Sequence, residues 1–265
     1  MRTNRVKTDL KAGRPSIGTW LSLASITAAR FIARAGFDWL TVDMEHSLVG
    51  WETTAHILSS IADAGCTALA RVPSNRHDHI KRALDNGAHG IVVPMVNSRE
   101  EAVAAVAACR YPPGGIRSVG GSVHALNFDA SAREYFERAN EEILVVLQCE
   151  HIRAVGDADR IFSVPGIDAI FVGPNDLSAS MRGPDGSPPS AAATADVMRR
   201  VLDTCRKHGL APGLHCATAE EAQVRREEGW QFLAIGSELR MMLDGAEQVL
   251  QTLGKRQAEV DIARY

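Results

Sequence analysis

The chain has 265 residues, of which 45% are apolar and 23% charged, and its formal net charge is −3. This length suits one larger α/β domain or two small ones, and the composition is that of an ordinary globular protein. The small negative charge gives no electrostatic reason to expect a nucleic-acid partner. No apolar run reaches the roughly 20 residues of a membrane-spanning helix, so no membrane partner is expected.

The N-terminal stretch and the cysteines predict a cytoplasmic location. The stretch "MRTNRVKTDLKAG" lacks the apolar centre of a secretion signal. The five cysteines are scattered and form no C-x-x-C pair, which indicates reduced and mostly buried thiols.

Short apolar runs alternate with longer segments of helical period, separated by glycine or proline. The predicted strands are 16–23, 38–45, 67–73, 89–96, 143–150, 168–174, 211–216 and 230–236. The predicted helices are 26–36, 51–65, 77–87, 99–110, 157–166, 195–209, 219–229 and 238–255. Many of these helices end in glycine, as a helix C-cap should.

Eight such units predict an α/β fold, a (β/α)8 TIM barrel forming a single domain over residues 1–265. The barrel should span about 16–250, between an N-terminal arm at 1–15 and a C-terminal tail at 251–265. An open doubly wound sheet is the alternative, although no Rossmann or Walker A motif follows a strand. We expect the Gly/Pro-rich loops 111–131 and 181–190 on the catalytic side, as lids or substrate contacts.

Polar residues stand at the carboxyl ends of several predicted strands, where barrel enzymes place catalysis. They are Glu45 and His46, Arg71, Gln148 and Glu150, Asn175 and Asp176, and His215. Together they supply an acid, a base and a cation. This combination favours a catalytic site over polar residues that merely lie at the protein surface.

Glu150 and Asp176 end adjacent strands, whose backbones lie about 4.8 Å apart. Carboxylates that close repel each other unless a cation lies between them, and Mg²⁺ or Mn²⁺ would suit these oxygen ligands. The alternative is a carboxylate pair bridged by Arg71. Zinc is less favoured because the chain has no H-x-x-H or paired-thiol spacing.

The segment "LSAS" after Asp176 predicts a short helical turn. The backbone N–H groups of Asn175 and Asp176 would then face a carboxylate or phosphate, unless these residues act as a plain helix N-cap. The five lysines all lie outside the predicted strands, so a Schiff base inside the barrel is not expected.

Several motifs occur together and in order: "DMEHS", "ARVPSN", "LDNGAHGIVVPMVNSREEA", "RYPPGGIRSVG", "VLQCE" and "FVGPNDLS". With them the chain resembles, over about residues 18–246, the HpcH/HpaI family of metal-dependent (class II) pyruvate aldolases. The best-known members cleave 4-hydroxy-2-oxoheptanedioate or 2-keto-3-deoxy sugar acids. The resemblance implies reversible cleavage of a 4-hydroxy-2-oxo acid to pyruvate, or a related 2-oxo acid, and an aldehyde, with Mg²⁺, Mn²⁺ or Co²⁺ as cofactor.

The resemblance also implies how the site is divided between metal and substrate. Glu150 and Asp176 would ligate the metal, and pyruvate would chelate it through its carboxylate and 2-keto oxygen. Gln148 and the backbone of Asn175 and Asp176 would hold the substrate.

By the same resemblance, Arg71 would stabilise the enolate oxygen. His46 would take the proton of the 4-hydroxyl group, directly or through a water on the metal. Asp85 would raise the basicity of this histidine. A carboxylate in the last turn of a helix opposes the helix dipole, which is consistent with such a use. From spacing alone, Asp43 would be the choice for that role, but it ranks second, as a supporting residue.

Family members are commonly homohexamers, trimers of dimers, with an exchanged C-terminal helix, and the long last predicted helix is compatible with this. Two departures from the family pattern concern the part of the site that would hold the aldehyde. His124 and Ala125 stand where an arginine is often found, and His215 stands where an aliphatic residue is often found. The preference of family members for particular aldehyde acceptors therefore cannot be carried over to this chain.

Four other functions remain open. An oxaloacetate-type decarboxylase would use the same enolate stabilisation, whereas a citryl- or malyl-CoA lyase needs a CoA cleft for which the sequence gives no sign. If the protein were a catalytically silent ligand-binding barrel, we would expect the reactive strand-end residues to be replaced by unreactive ones. The sequence shows no such replacement. An isomerase would hold a phosphate through "IGSE" after the eighth strand.

Overall fold

Eight parallel strands close into a barrel in the computed structural model of the chain, which describes residues 1–255. Each strand pairs with the next along the chain, and the first pairs with the last. The strands are β1 (Ser16–Leu21), β2 (Trp39–Asp43), β3 (Thr67–Arg71), β4 (Gly90–Val93), β5 (Leu144–Gln148), β6 (Ala169–Val172), β7 (Ala211–Cys216) and β8 (Phe232–Ser237). The predicted TIM barrel is confirmed, and the doubly wound alternative is wrong.

Thirteen helices accompany these strands within residues 1–255. They are α1 (Arg5–Lys11), α2 (Ile26–Ile32), α3 (Trp51–Asp63), α4 (His77–Asp85), α5 (Arg99–Cys109), α6 (Val123–Asn127), α7 (Ala132–Glu142), α8 (Ile152–Gly156), α9 (Ala158–Phe162), α10 (Pro174–Ser180), α11 (Ala191–His208), α12 (Ala219–Glu228) and α13 (Glu238–Thr252). In this described part of the chain, no helix has the length and apolarity to cross a lipid bilayer.

Each predicted helix overlaps an observed one, but α1, α6, α7 and α8 were not predicted. Three of these have only five to seven residues, too few for a helical period to stand out. The eleven-residue α7 buries Tyr135 and Ala139 among mostly charged residues, so its apolar period is weak.

Most of the loop 111–131 lies at the end of the barrel where the strands begin, although the carbonyl of Ile116 is 3.2 Å from Nε2 of His77 at the start of α4. The carbonyl of Asn127 is 2.9 Å from Nε2 of His89, which directly precedes β4. Within the same loop, Arg117 Nη2 donates to Asp85 Oδ1, at the end of α4, over 2.8 Å. The expectation of a catalytic-side lid is therefore wrong here. The segment leads from a helix into a strand, and such connections lie opposite the catalytic end. The loop 181–190 follows α10 and belongs to a strand-to-helix connection.

The barrel interior is packed at the bottom by large rings and is closed there by α1. The Trp39 ring stacks on Phe232 with 4.2 Å between centroids. Gly18 makes room for this stack, because a Cβ at that position would lie 2.1 Å from the Trp39 ring. Val6 and Leu10 of α1 belong to the same apolar cluster.

The helix α1 is held to the barrel by buried polar contacts. Lys7 Nζ donates to the carbonyl of Ile143 over 2.7 Å and lies 3.1 Å from Asp168 Oδ2. The backbone N–H of Asn4 donates to Glu142 Oε2 over 2.7 Å. The predicted N-terminal arm therefore includes a helix that docks against the strand beginnings.

His89 gives the fold a testable pH dependence. Its ring is buried, and burial lowers its pKa to about 4 from its ordinary value of 6.5. Between pH 6.5 and 4 the unfolded chain takes up a proton at His89 that the folded chain does not, so this residue's contribution to stability falls as the pH falls. Linkage predicts a loss of about 3 kcal/mol from pH 7 to pH 4.

The measurement compares wild type with His89→Gln by urea unfolding at each pH. Glu45 and Glu150 have pKa values raised to about 7, so they add stability as the pH falls and would mask His89 in wild type alone. The difference between the two proteins removes these common contributions. We expect the wild-type advantage in unfolding free energy to shrink by about 3 kcal/mol towards pH 4. A constant difference would contradict the prediction.

Candidate active site

A cavity of about 330 Å³ lies at the carboxyl ends of the strands. Six of the seven predicted site residues line it: His46, Arg71, Gln148, Glu150, Asn175 and Asp176. They come from β3 and β5 and from the segments that follow β2, β5 and β6, so barrel closure brings together residues far apart in sequence.

Arg71 is held in place by two carboxylates from the neighbouring strand and the turn after it. Asp43 pairs with Arg71 in the β2–β3 register, and the guanidinium donates from Nε to Asp43 Oδ1 over 2.9 Å and from Nη2 to Oδ2 over 2.5 Å. Its Nη1 lies 3.2 Å from Glu45 Oε2. In the described part of the chain the ion pairs of Arg71 are with Asp43 and Glu45, so the alternative of a bridge between Glu150 and Asp176 is wrong. The result is a fixed positive charge at the cavity wall.

The turn that carries His46 is shaped by Asp43. Asp43 Oδ1 accepts hydrogen bonds from the backbone N–H groups of Glu45, over 3.0 Å, and His46, over 3.2 Å. The nearby carboxylate of Glu45 lies 3.7 Å from His46 Nε2. Burial raises the pKa of Glu45 to about 7, with Asp43 and Asp176 adding to the rise and Arg71 opposing it. The sequence analysis placed Glu45 at the strand end but gave it no contact with the imidazole.

Glu150 is buried and oriented by two hydrogen bonds. Its Oε1 accepts the backbone N–H of Met95 over 2.7 Å, and its Oε2 accepts Nε2 of Gln148 over 2.6 Å. Gly173 gives the carboxylate its room, since a Cβ there would lie 2.6 Å from Oε2. Burial, together with the charges of Glu45 and Asp176, raises the pKa of Glu150 to about 7 against the opposing effects of the Met95 N–H and Arg71.

The donor set fits a hard divalent cation. Glu150 and Asp176 both line the cavity and repel each other electrostatically. A cation between them would relieve this repulsion and could keep water or substrate as its other ligands. Oε1 of Gln148 is buried without a hydrogen-bond partner and adds an oxygen to the same region. Among residues 1–255 no group of three or more His, Cys, Asp or Glu side chains is arranged to hold a metal ion.

The helix α10 begins at Pro174, with Gly173 as its N-cap and no side chain capping it. Asn175 and Asp176 therefore lie in the first helical turn, and the plain N-cap interpretation of these residues is wrong.

The turn after β8, where an isomerase would bind a phosphate, has fewer backbone N–H donors left for that ligand. Its N-cap Ser237 already accepts the N–H of Arg240, over 3.2 Å.

Asp85 lies away from the other predicted residues. It lines a second cavity of about 320 Å³ with Trp51 and His79, at the end of α4 near the start of β4. His46 lines the active-site cavity and Asp85 lines this second one, so the two residues do not share a cavity. His124, which departs from the family pattern, is also remote, with its ring 4.3 Å from that of Tyr135.

His215, named above for its place at a strand end, also lines the cavity, whereas Trp20 and Arg240 were not predicted. The Trp20 ring packs 4.5 Å beneath the Arg71 guanidinium, and His215 Nε2 lies 3.1 Å from the carbonyl of Gly236. Arg240 reaches the cavity from α13. Trp20 stands in a buried strand and Arg240 in a helix of charged and apolar residues, so neither carries a local sequence signal of a site. None of the five lysines lies on a strand, as predicted.

A parallel barrel with an arginine, a histidine and paired carboxylates at its strand ends defines a TIM-barrel enzyme. A profile of the HpcH/HpaI aldolase/citrate lyase family matches residues 16–245, and the chain belongs to this family. The resemblance inferred from the motifs is thus confirmed, as is the assignment to the carbon–carbon lyases.

Individual relatives are similar over almost their whole lengths. A 4-hydroxy-2-oxo-heptane-1,7-dioate aldolase of Salmonella arizonae is 39% identical, covering 95% of this chain and 95% of the relative. A 2-dehydro-3,6-dideoxy-6-sulfogluconate aldolase of Pseudomonas putida is 37% identical, covering 96% and 98%. The crystal structure of a family protein from Burkholderia cenocepacia superposes with a TM-score of 0.86 at 34% identity, covering 96% and 100%.

Proposed function

We propose that the protein is a divalent-metal-dependent aldolase that reversibly cleaves a 4-hydroxy-2-oxo acid to pyruvate, or a related 2-oxo acid, and an aldehyde. The observation that carries this proposal is one cavity at the strand ends, lined by Arg71, Gln148, Glu150 and Asp176. The named activities of the relatives support the same reaction type.

Glu150 and Asp176 would hold the metal, which we expect to be Mg²⁺, Mn²⁺ or Co²⁺. Bound there, the cation would polarise the 2-oxo group and orient the substrate. The Met95 N–H and the Gln148 amide hold the Glu150 carboxylate in one orientation, so little rearrangement is needed on binding.

The 2-oxo acid would be held by Gln148 and by the backbone of Asn175 and Asp176. Arg71 would stabilise the negative charge that develops on the 2-oxo oxygen when the carbon–carbon bond breaks. Its two hydrogen bonds with Asp43 fix the guanidinium before the reaction, and a preorganised charge of this kind is an effective form of transition-state stabilisation.

His46 would remove the proton from the 4-hydroxyl group. Its side chain lies at the mouth of the cavity, with Glu45 Oε2 3.7 Å from Nε2. We also propose that Asp85 raises the basicity of His46; because the two residues line different cavities of one chain, this role would require a contact between subunits.

We also propose a homohexamer, a trimer of dimers, in which the part of α13 beyond the cavity-lining Leu239, Arg240 and Leu243 is exchanged between subunits. Exposed apolar side chains on α13, namely Met242, Val249 and Leu250, support a partner surface. A cytoplasmic location is proposed as well, and all five cysteines are free and buried, as that location would require. Light scattering on the purified protein measures the subunit number.

The proposed function is tested by pyruvate release from 4-hydroxy-2-oxo acids, measured with coupled lactate dehydrogenase. We expect turnover that falls at least about 100-fold after EDTA treatment and dialysis and that returns with Mg²⁺, Mn²⁺ or Co²⁺. Full activity after thorough chelation would contradict the metal dependence. Carbon dioxide release from oxaloacetate without any aldol cleavage would instead favour the decarboxylase alternative.

A further inference from the structure

One wall of the active-site cavity runs from Arg71 to Arg240 through a series of packed groups. The Arg71 guanidinium lies 4.5 Å from the centroid of the Trp20 ring, whose centroid is 6.5 Å from that of His215. His215 Nε2 contacts the carbonyl of Gly236 at 3.1 Å. The aliphatic stem of Arg240 lies over Gly236, with its Cγ 3.8 Å from where a Cβ would stand. Arg240 therefore marks the end of this wall remote from Arg71.

The two arginines that line the cavity in the described part of the chain have different surroundings. Arg71 is buried and donates hydrogen bonds to Asp43 through Nε and Nη2. Arg240 is partly exposed and contacts Asp244 through Nε alone, at 2.7 Å from Oδ2. This contact orients the guanidinium while its Nη1 and Nη2 groups remain available as donors to a ligand.

The surroundings of Arg240 contain little other positive charge. Leu239 and Leu243 of α13 line the same part of the cavity and are apolar. Burial lowers the pKa of His215, so that imidazole is neutral near pH 7. A charged guanidinium on an otherwise uncharged part of the wall is suited to select one kind of ligand group, an anion, over a neutral one of similar size.

We propose that Arg240 binds the anionic tail of the aldehyde moiety, a carboxylate or sulfonate at the end remote from the reacting carbon. This inference rests on the proposed aldolase function, which brings the 2-oxo acid to the Arg71 end of the wall. The aldehyde must then extend away from that end, and Arg240 meets its tail. The new element is the residue: Arg240 would set the preference for aldehydes that end in an acidic group.

The test measures condensation of pyruvate with 4-oxobutanoate and with butanal, which have equal chain lengths and differ in the terminal charge. Arg240→Gln should lower kcat/KM for 4-oxobutanoate about 10- to 100-fold, mainly through KM, and change the value for butanal by less than about twofold. An equal loss with both aldehydes would reveal a structural role, and no loss with either would remove Arg240 from the site. Each of these results overturns the proposal.

Asp244→Asn is the matched control because it removes the negative charge beside the same guanidinium. We expect it to raise kcat/KM for 4-oxobutanoate about 2- to 5-fold and to leave butanal unchanged. A fall with 4-oxobutanoate would contradict the proposed contact. Wild type that consumes pyruvate with neither aldehyde and cleaves no 4-hydroxy-2-oxo acid overturns the aldolase function and this inference together. Wild type that uses both aldehydes equally well overturns the role of Arg240 alone.

Discussion

Glu150→Gln is expected to lower aldol cleavage by at least about 1000-fold, which corresponds to about 4 kcal/mol of transition-state stabilisation. The substitution keeps the shape of the side chain but removes its charge, so Asp176 alone would face the cation. The Met95 N–H can still donate to the amide oxygen of the variant, and the Gln148 amide can turn its own oxygen towards the new NH₂ group. Mn²⁺ titration calorimetry should show the accompanying loss of metal affinity.

Two further variants separate metal binding from general damage. Glu142→Gln is the matched control, because Glu142 is also a buried glutamate but lies at the opposite end of the barrel, where it accepts the N–H of Asn4. It should keep both metal binding and activity. His46→Ala should keep Mn²⁺ affinity while slowing cleavage, and unchanged turnover would remove its role as the base. Because burial of the Glu150 charge is costly, the Glu150→Gln protein should be no less stable than wild type.

Arg71→Lys is expected to lower kcat about 100- to 1000-fold even though it conserves the charge. Lysine cannot reproduce the two hydrogen bonds with Asp43 and the contact with Glu45 while also facing the substrate. The ammonium group would therefore be drawn to the carboxylates and away from the developing oxyanion. Steady-state kinetics with pyruvate release as the readout measures the effect, and a loss confined to KM would contradict the assigned role.

Arg110→Lys provides the matched control for this substitution. Arg110 is as buried as Arg71, but it lies at the strand beginnings, where it donates to the carbonyls of Ile143 and Gly166 over 3.2 Å. The change should affect stability and leave kcat within about twofold of wild type. A similar loss of kcat in both variants would show that damage to the fold, and not to the site, causes the effect.

The barrel was predictable because its signal is local and repeated. Each strand carries its own apolar run, and most of the intervening helices carry a helical period. The weakly amphipathic α7 and the short α6 gave no such signal. The loop 111–131 was assigned to the wrong end of the barrel, since its Gly/Pro content predicts a loop but not the side on which the loop lies.

The candidate site was predictable to a similar degree and for a similar reason. Polar residues at the ends of apolar runs, such as His46, Glu150 and Asp176, must meet when parallel strands close into a barrel. Their individual partners were less predictable. Asp43 could have served His46, yet its side chain binds Arg71 because the β2–β3 register sets the two residues opposite each other.

By itself, the sequence determined the number of βα units and the strand ends that carry chemistry, since both are properties of short segments. Only the tertiary structure decided that Glu45 pairs with Arg71, that Asp85 lines a separate cavity and that Arg240 reaches the active-site cavity from α13. These relations depend on helix packing and on which end of the barrel each connection occupies. Such three-dimensional distances are not encoded in any local spacing of residues.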